Sequence, residues 1–264
     1  MSAITLQDEV VHYEVLGRGR GVLFLHGWLG SWRYWIPAMQ SVSSRYRAYA
    51  LDLWGYGDTG RRGKRYMLAD QTELVTAFLD QLGVSKIAIV AHGLGGAVAL
   101  RFLNQNPDRV ARLMVINTPI YGELLHPRLQ TVTATADLAT LLGVRGDDLA
   151  PVTSELGKMD MDAVIMGASN VANSDFRDTL LHATVPSLLV HGTEDPVIPD
   201  AQHDWLENNI SGEEAVHYLS VEDARHFPML EDKAKFNRLL VDFLEAEGNL
   251  KALTLKEEWK RRMR

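Results

Sequence analysis

The sequence predicts an α/β fold in which helices cover both faces of a mostly parallel sheet. First, short apolar runs rich in β-branched residues alternate with segments of helical periodicity along most of the chain. Second, 264 residues with 46% hydrophobic content are enough to bury one large core. Third, the strand rhythm stops between Ile116 and Pro186 and then resumes, which indicates an inserted segment within one sheet.

The predicted strands are apolar runs bounded by turn residues, such as the glycine-rich stretches at 17–21 and 55–60. They are expected at 10–15, 22–25, 46–53, 86–90, 112–116, 187–190 and 215–219. Helices are expected where apolar residues recur every three to four positions, at 69–82, 97–106 and 233–247. The last of these has one apolar face, formed by Phe236, Leu239, Leu240, Phe243 and Leu244.

The interruption contains short helical patterns at 134–142, 148–158, 162–171 and 174–182, separated by loops. We therefore predict a core formed by residues 1–118 and 181–247, a helical cap at 119–180 and a C-terminal extension at 248–264. The apolar residues of the cap could line a substrate pocket, although packing against the core is the simpler interpretation for each one.

Composition excludes several classes of function. A net charge of −7 and a pI near 5.7 argue against nucleic-acid binding. The absence of cysteine excludes disulfides, thiolate metal sites and a cysteine nucleophile. No apolar run reaches membrane-spanning length, and the N-terminus lacks the pattern of a signal peptide, so a cytoplasmic protein is expected. Neither a cofactor nor a metal is predicted.

Four segments carry the chemical interpretation, and each places small or polar residues next to a predicted strand. The first is a strand, a sharp turn and a small-residue helix, written Ile87-Ala-Ile-Val-Ala-His-Gly-Leu-Gly-Gly96. The second is Leu23-Phe-Leu-His-Gly-Trp-Leu-Gly-Ser31. The third and fourth follow later strands, and they read Val190-His-Gly-Thr-Glu-Asp-Pro-Val-Ile-Pro199 and Glu222-Asp-Ala-Arg-His-Phe-Pro-Met-Leu230.

These segments, in this order, resemble the α/β-hydrolase superfamily, in its capped branch with an HG-type oxyanion loop. The resemblance implies that residues 23–31 contain the oxyanion loop, 190–199 the acid loop and 222–230 the histidine loop. It implies that Asp195 and His226 are the catalytic acid and base. It also implies that the backbone N–H groups of Trp28 and Leu94 form the oxyanion hole. His92, just before the turn, is expected to have a structural role, either in packing or through a hydrogen bond to the backbone.

The departure from the family lies at Gly93, which occupies the position of the serine nucleophile in the G-x-S-x-G elbow. In a serine–histidine–aspartate enzyme, removal of the serine lowers kcat about 10⁶-fold, and roughly 10³–10⁴ over water remains from the oxyanion hole and binding. Ser31 and Thr118 are the nearest alternative hydroxyls by motif position, but neither lies on an elbow. The elbow also lacks the carboxylate that haloalkane dehalogenase or epoxide hydrolase chemistry requires.

Three interpretations remain open. The chain could act on a small carbonyl or ester substrate through a His226–Asp195 dyad, it could be a pseudoenzyme that binds a ligand or partner, or it could be a serine hydrolase inactivated by substitution at position 93. The intact dyad favours the first. Trp28, His26 and Tyr121 are the predicted substrate contacts. The extension combines basic residues with Leu255, Trp259 and Met263 spaced four apart, which could contact a partner or a second copy.

Overall fold

A computed structural model describes residues 2–144, 149–210, 215–246 and 250–253. Its strands form one eight-stranded sheet in the order β1-β2-β4-β3-β5-β6-β7-β8. β1 and β2 are antiparallel to their neighbours, and every pairing from β4 through β8 is parallel. The strands are β1 Ser2–Leu6, β2 Glu9–Gly17, β3 Arg20–Leu25, β4 Tyr46–Leu51, β5 Ile87–His92, β6 Val110–Ile116, β7 Ser187–Gly192 and β8 Val216–Val221. The predicted fold class is confirmed.

Burial explains why these runs are strands. Every residue of β5 and of β7 is buried, as expected for central strands covered by helices on both faces. The sequence analysis did not predict β1. It joins β2 through a two-residue turn at Gln7 and Asp8, both of which have positive φ angles, 49° and 65°. Because such turns usually contain asparagine or glycine, this pair gave no hairpin signal.

Helices pack against the sheet and against one another, with α1 contacting α10 and α2 contacting α3. The helix after the elbow begins at Leu94, three residues earlier than predicted. Three helices outside the inserted segment, α1, α8 and the one-turn α9, were not predicted. The helices are α1 Ile36–Val42, α2 Leu68–Gln81, α3 Leu94–Gln105, α4 Thr135–Leu141, α5 Ala150–Thr153, α6 Met161–Ala172, α7 Arg177–Leu181, α8 Asp200–Ile210, α9 Pro228–Glu231 and α10 Lys233–Glu245.

The inserted segment between β6 and β7 contains α4 to α7, and hydrogen bonds tie α6 to the loops of the sheet. The Asp160 N–H donates to the Gly55 carbonyl at 2.8 Å, and the Tyr66 hydroxyl donates to the Asp160 carboxylate at 2.7 Å. At Gly167, an added Cβ would lie 3.2 Å from the Leu94 side chain. Helix α6 therefore lies directly over the start of α3.

The predicted helix at 148–158 is shorter in the structure, where α5 is one turn, and residues 145–148 lie outside the described residues. Of the C-terminal extension, only a 3-10 turn at Leu250–Ala252 and Leu253 are described. The predicted amphipathic stripe at Leu255, Trp259 and Met263 thus falls outside the described part. Within the ranges that are described, none of the helices has the length and apolar character needed to cross a bilayer.

Candidate active site

The sharp turn between β5 and α3 is built around Gly93. Its backbone angles are φ 52° and ψ −117°, and its N–H donates to the Ile116 carbonyl at 3.0 Å. Positive φ is a region that L-residues with a side chain rarely adopt, whereas glycine enters it at little cost. The predicted sharp turn is therefore present, and its central residue carries no side chain.

A histidine and a carboxylate meet next to this turn. His226 Nδ1 lies 2.8 Å from Asp195 Oδ2, and both side chains are completely buried. The other carboxylate oxygen accepts the Val197 N–H at 2.8 Å, which orients the aspartate. Because an ionised carboxylate only accepts hydrogen bonds, the His226 proton lies on Nδ1. The opposite ring nitrogen, Nε2, has no hydrogen-bond partner among the described residues.

Two backbone N–H groups flank Gly93 in space. The Leu94 N–H is at the first position of α3, where helix geometry offers no acceptor one turn earlier. For the Trp28 N–H, likewise, no acceptor lies within hydrogen-bond distance in the described part of the chain. The Gly95 N–H donates to the His26 carbonyl at 3.0 Å, which fastens the oxyanion loop to the beginning of α3. Neither N–H group therefore has a hydrogen-bond partner within the described part of the chain.

The Trp28 indole forms a wall between the turn and α6. It is fully buried, and its Cε3 and Cζ3 atoms lie 3.3 Å from the position that a Cβ on residue 93 would occupy. Its Nε1 lies 3.8 Å from the corresponding position on Gly167 and has no hydrogen-bond partner among the described residues. The space between the turn at Gly93 and α6 is therefore filled by an indole ring that carries one unpaired N–H donor.

Two predicted substrate contacts have other roles in the structure. The Leu53 N–H donates to His26 Nε2 at 3.0 Å, so His26 Nδ1 carries the proton and donates to the Gly27 carbonyl at 2.9 Å. Burial lowers the pKa of His26, which keeps the ring neutral. With both nitrogens bound to backbone, His26 supports the loop and has no nitrogen left for a substrate.

Tyr121, the other of these two residues, lies against α8. Its hydroxyl donates to the Ala201 carbonyl on α8 at 3.3 Å, and the Arg177 guanidinium lies 4.6 Å from the centre of its ring. A role for Tyr121 as a substrate contact stays a prediction.

Neither alternative hydroxyl is available as a nucleophile. Ser31 Oγ accepts the Arg33 N–H at 3.2 Å at the start of a 3-10 turn. Thr118 Oγ1 lies 3.1 Å from each of two backbone carbonyls, those of Gly93 and Ile116. Both oxygens hold local backbone, and neither replaces the missing serine.

His92 and Tyr34 both contribute to a set of hydrogen bonds next to His226, and only the contact of His92 was predicted from the sequence. His92 Nε2 donates to the His226 carbonyl at 2.8 Å, which confirms the expected backbone contact of His92. Tyr34 was not considered at all, yet its hydroxyl lies 3.0 Å from His92 Nδ1. No local pattern distinguishes Tyr34 from the other aromatic residues of its helical turn, so only the tertiary contact identifies it.

A group of side chains with metal-ligand chemistry lies away from the dyad, where ligand atoms of His12, Asp52 and Asp58 fall within 4.8 Å of one another. Asp52 already accepts the Trp32 and Asp58 N–H groups, at 2.8 and 3.0 Å, and Lys158 pairs with Asp58 at 2.9 Å. Burial would lower the pKa of His12, but its hydrogen bond and charge interaction with Asp52 raise it overall. The group is a hydrogen-bonded support for the loops.

Comparison with known proteins agrees with this geometry. A family model described as alpha/beta hydrolase fold matches residues 21–143. A pimeloyl-[acyl-carrier protein] methyl ester esterase from Nitrosomonas europaea is 26% identical over 224 residues, which cover 76% of this chain and 87% of the esterase.

Two solved structures show the same fold. An enol-lactonase from Burkholderia xenovorans LB400 superposes with a TM-score of 0.80 at 20% identity, covering 93% of this chain and all of the lactonase. A serine-to-glycine mutant of an N-acyl homoserine lactonase, in complex with N-hexanoyl homoserine lactone, superposes with a TM-score of 0.78 at 19% identity, covering 92% and 96% of the two chains.

Proposed function

Because the chain belongs to the α/β-hydrolase superfamily, we propose that it acts on a small carbonyl or ester compound without a serine nucleophile. The observation that carries this proposal is the buried His226–Asp195 pair, joined at 2.8 Å, with Nε2 of the imidazole unpaired among the described residues. Such an imidazole is oriented to accept a proton.

In this proposal His226 is a general base. Nε2 takes a proton from water as the water oxygen attacks the substrate carbonyl carbon, and the carbonyl π electrons move onto oxygen. The N–H groups of Trp28 and Leu94 stabilise the resulting oxyanion. When the tetrahedral intermediate collapses, the leaving alkoxide takes the proton back from Nε2. Asp195 stabilises the imidazolium throughout and remains ionised.

The same groups support proton abstraction next to a carbonyl, with the enolate oxygen bound by the two N–H groups. In both reactions the segment 119–180 acts as a cap, because α6 covers the start of α3. The comparisons support the ester class, since the esterase and both lactonases are named for substrates with an acyl–oxygen bond. Because no acyl-enzyme forms, we expect a turnover rate roughly 10³–10⁴-fold higher than that of the uncatalysed reaction.

The test is hydrolysis of p-nitrophenyl acetate by the wild-type protein and by His226→Ala. We expect His226→Ala to lower kcat/KM to the background rate. His182→Ala is the matched control, because exposed imidazoles hydrolyse activated esters without any site, and His182 is exposed at the end of α7. Turnover that survives His226→Ala but falls in His182→Ala would contradict the proposal.

A second candidate is a ligand-binding pseudoenzyme, and the mutant lactonase favours it, since that serine-to-glycine protein was crystallised with its lactone. Restoring the hydroxyl separates the two candidates. If the catalytic framework is intact, Gly93→Ser gains esterase activity and forms a covalent adduct with a serine-directed phosphonate. A pocket that only binds ligands gains neither. The same gain is expected if the chain is an inactivated serine hydrolase, so wild-type turnover is the measurement that distinguishes serine-independent catalysis.

A further inference from the structure

We propose that Tyr34 and His92 are positioning residues, which hold the histidine loop and the oxyanion loop in register through one hydrogen-bonded chain. This inference rests on the proposed function, because it assigns a purpose to the placement of His226 and the Trp28 N–H. Tyr34 and His92 lie outside the dyad and the oxyanion hole. The hydrogen bonds that they make do not involve the side chain of residue 93.

The direction of every hydrogen bond in this chain follows from the atoms involved. The His226 carbonyl can only accept, so His92 Nε2 carries the proton of that 2.8 Å bond. His92 is neutral, since burial, followed by the nearby His226, lowers its pKa well below the usual value. Its Nδ1 is therefore an acceptor, and the Tyr34 hydroxyl donates to it at 3.0 Å.

The remaining link reaches the oxyanion loop. The Gly27 N–H donates to the Tyr34 hydroxyl oxygen at 2.6 Å. Burial raises the pKa of Tyr34 well above its usual value, so the hydroxyl keeps the proton that it donates to His92. The chain thus runs from the Gly27 N–H through the Tyr34 hydroxyl to the His92 ring, and from the opposite nitrogen of that ring to the His226 carbonyl. Each acceptor and each proton is used once.

The rings of this hydrogen-bonded chain are packed closely against the glycines of the oxyanion loop and against one another. A Cβ on Gly27 would lie 2.8 Å from His92 Nδ1, and one on Gly30 would lie 2.2 Å from a Tyr34 ring carbon. The Tyr34 and His92 rings are edge to face at 5.8 Å, and the His92 and His226 rings lie 4.6 Å apart. The two glycines of the oxyanion loop are therefore explained by the rings that pass beside them.

The two groups at the ends of this hydrogen-bonded chain are adjacent to the groups that it positions. The Gly27 N–H is one residue before the Trp28 N–H, and the His226 carbonyl belongs to the residue that carries the base. His92 itself precedes Gly93. Breaking either link leaves a buried donor or acceptor unpaired, and the loops must move to satisfy it. A displacement of about 1 Å at a reacting group can cost about 100-fold in rate.

Tyr34→Phe is the first test, with Tyr46→Phe as its matched control. Tyr46 also has a buried hydroxyl that accepts one hydrogen bond, from Arg20 at 3.0 Å, and donates one, to the Leu244 carbonyl at 2.9 Å. The two variants therefore lose the same number of bonds. We expect Tyr34→Phe to lower kcat for p-nitrophenyl acetate about 10- to 100-fold with KM little changed. Tyr46→Phe is expected to retain the wild-type kcat.

A second pair of variants tests His92. Glutamine and methionine have similar length, but only glutamine supplies one donor and one acceptor. We expect His92→Gln to retain most of the activity and His92→Met to lose it as Tyr34→Phe does. This pair keeps the inference testable if one tyrosine variant does not fold. Equal activity in the glutamine and methionine variants would overturn it.

A readout that is independent of turnover separates this inference from the proposed function. ¹⁵N NMR of the imidazoles reports which nitrogen of each histidine carries the proton. We expect His92 to be protonated at Nε2 in the wild-type protein, and the His226 signals to shift in Tyr34→Phe but not in Tyr46→Phe. Unchanged His226 signals in Tyr34→Phe would refute positioning, whether or not the protein hydrolyses esters. Shifted signals in a protein without esterase activity would support positioning and refute the proposed function.

Discussion

Introducing a serine at position 93 should destabilise the protein while adding a nucleophile. The φ of 52° at this turn costs a residue with a side chain about 1–3 kcal/mol. The new Cβ would also lie 3.3 Å from the Trp28 ring, so the ring must shift by a few tenths of an ångström. Replacing glycine also lowers the conformational entropy of the unfolded chain, which stabilises the folded protein by only about 0.4–1 kcal/mol. We therefore expect a net loss of about 1–2 kcal/mol in the free energy of unfolding.

At roughly 2–4 °C per kcal/mol for a protein of this size, Gly93→Ser should lower the Tm by roughly 2–8 °C. Thermal unfolding followed by circular dichroism measures this, in parallel with esterase activity. Gly93→Ala is the matched control, because it adds the same Cβ at the same φ without the hydroxyl. Both variants should lose similar stability, and only the serine variant should gain activity. An unchanged or higher Tm in both would refute the argument that this turn is strained.

Three further predictions follow from named contacts. In the serine-restored variant, Asp195→Asn should lower kcat about 10⁴-fold with little change in fold, because an amide stabilises the wrong imidazole tautomer; steady-state kinetics with a circular dichroism check tests this. The raised pKa of His12, which Asp52 causes against the effect of burial, stabilises the folded state below about pH 6.5. This contribution is lost as the pH rises through the folded-state pKa. The difference in the free energy of unfolding between wild type and His12→Gln, measured with urea, should therefore shrink from pH 6 to pH 9. Gly167→Ala places a methyl group 3.2 Å from a leucine at the start of α3, so it should lower esterase kcat/KM. Gly157→Ala, with open space around it in the same inserted segment, should not.

The sequence predicted those parts of the fold and site that local patterns determine. The elbow, the acid loop and the histidine loop each follow a strand of the parallel part of the sheet, and parallel strands bring their carboxyl ends to one edge of the sheet. Motif order was therefore sufficient to predict that Asp195 and His226 are close, and they lie 2.8 Å apart.

What the sequence could not predict depends on long-range contacts. His26 was predicted to contact the substrate, but the Leu53 N–H, two residues past the end of β4, donates to its Nε2. Tyr34 looked like one of several aromatic residues that pack a helical turn. Its role depends on a histidine 58 positions further along the chain, and no local periodicity records such a pairing.

The contacts around position 93 explain why a glycine there leaves the rest of the site in place. The Gly93 N–H is held by the Ile116 carbonyl, and its own carbonyl lies 3.1 Å from Thr118 Oγ1. The base is held by Asp195 on its ring and by His92 on its carbonyl. None of these bonds uses the side chain of residue 93. The placement of the His226 ring and of the turn at Gly93 therefore depends on residues other than the side chain at position 93.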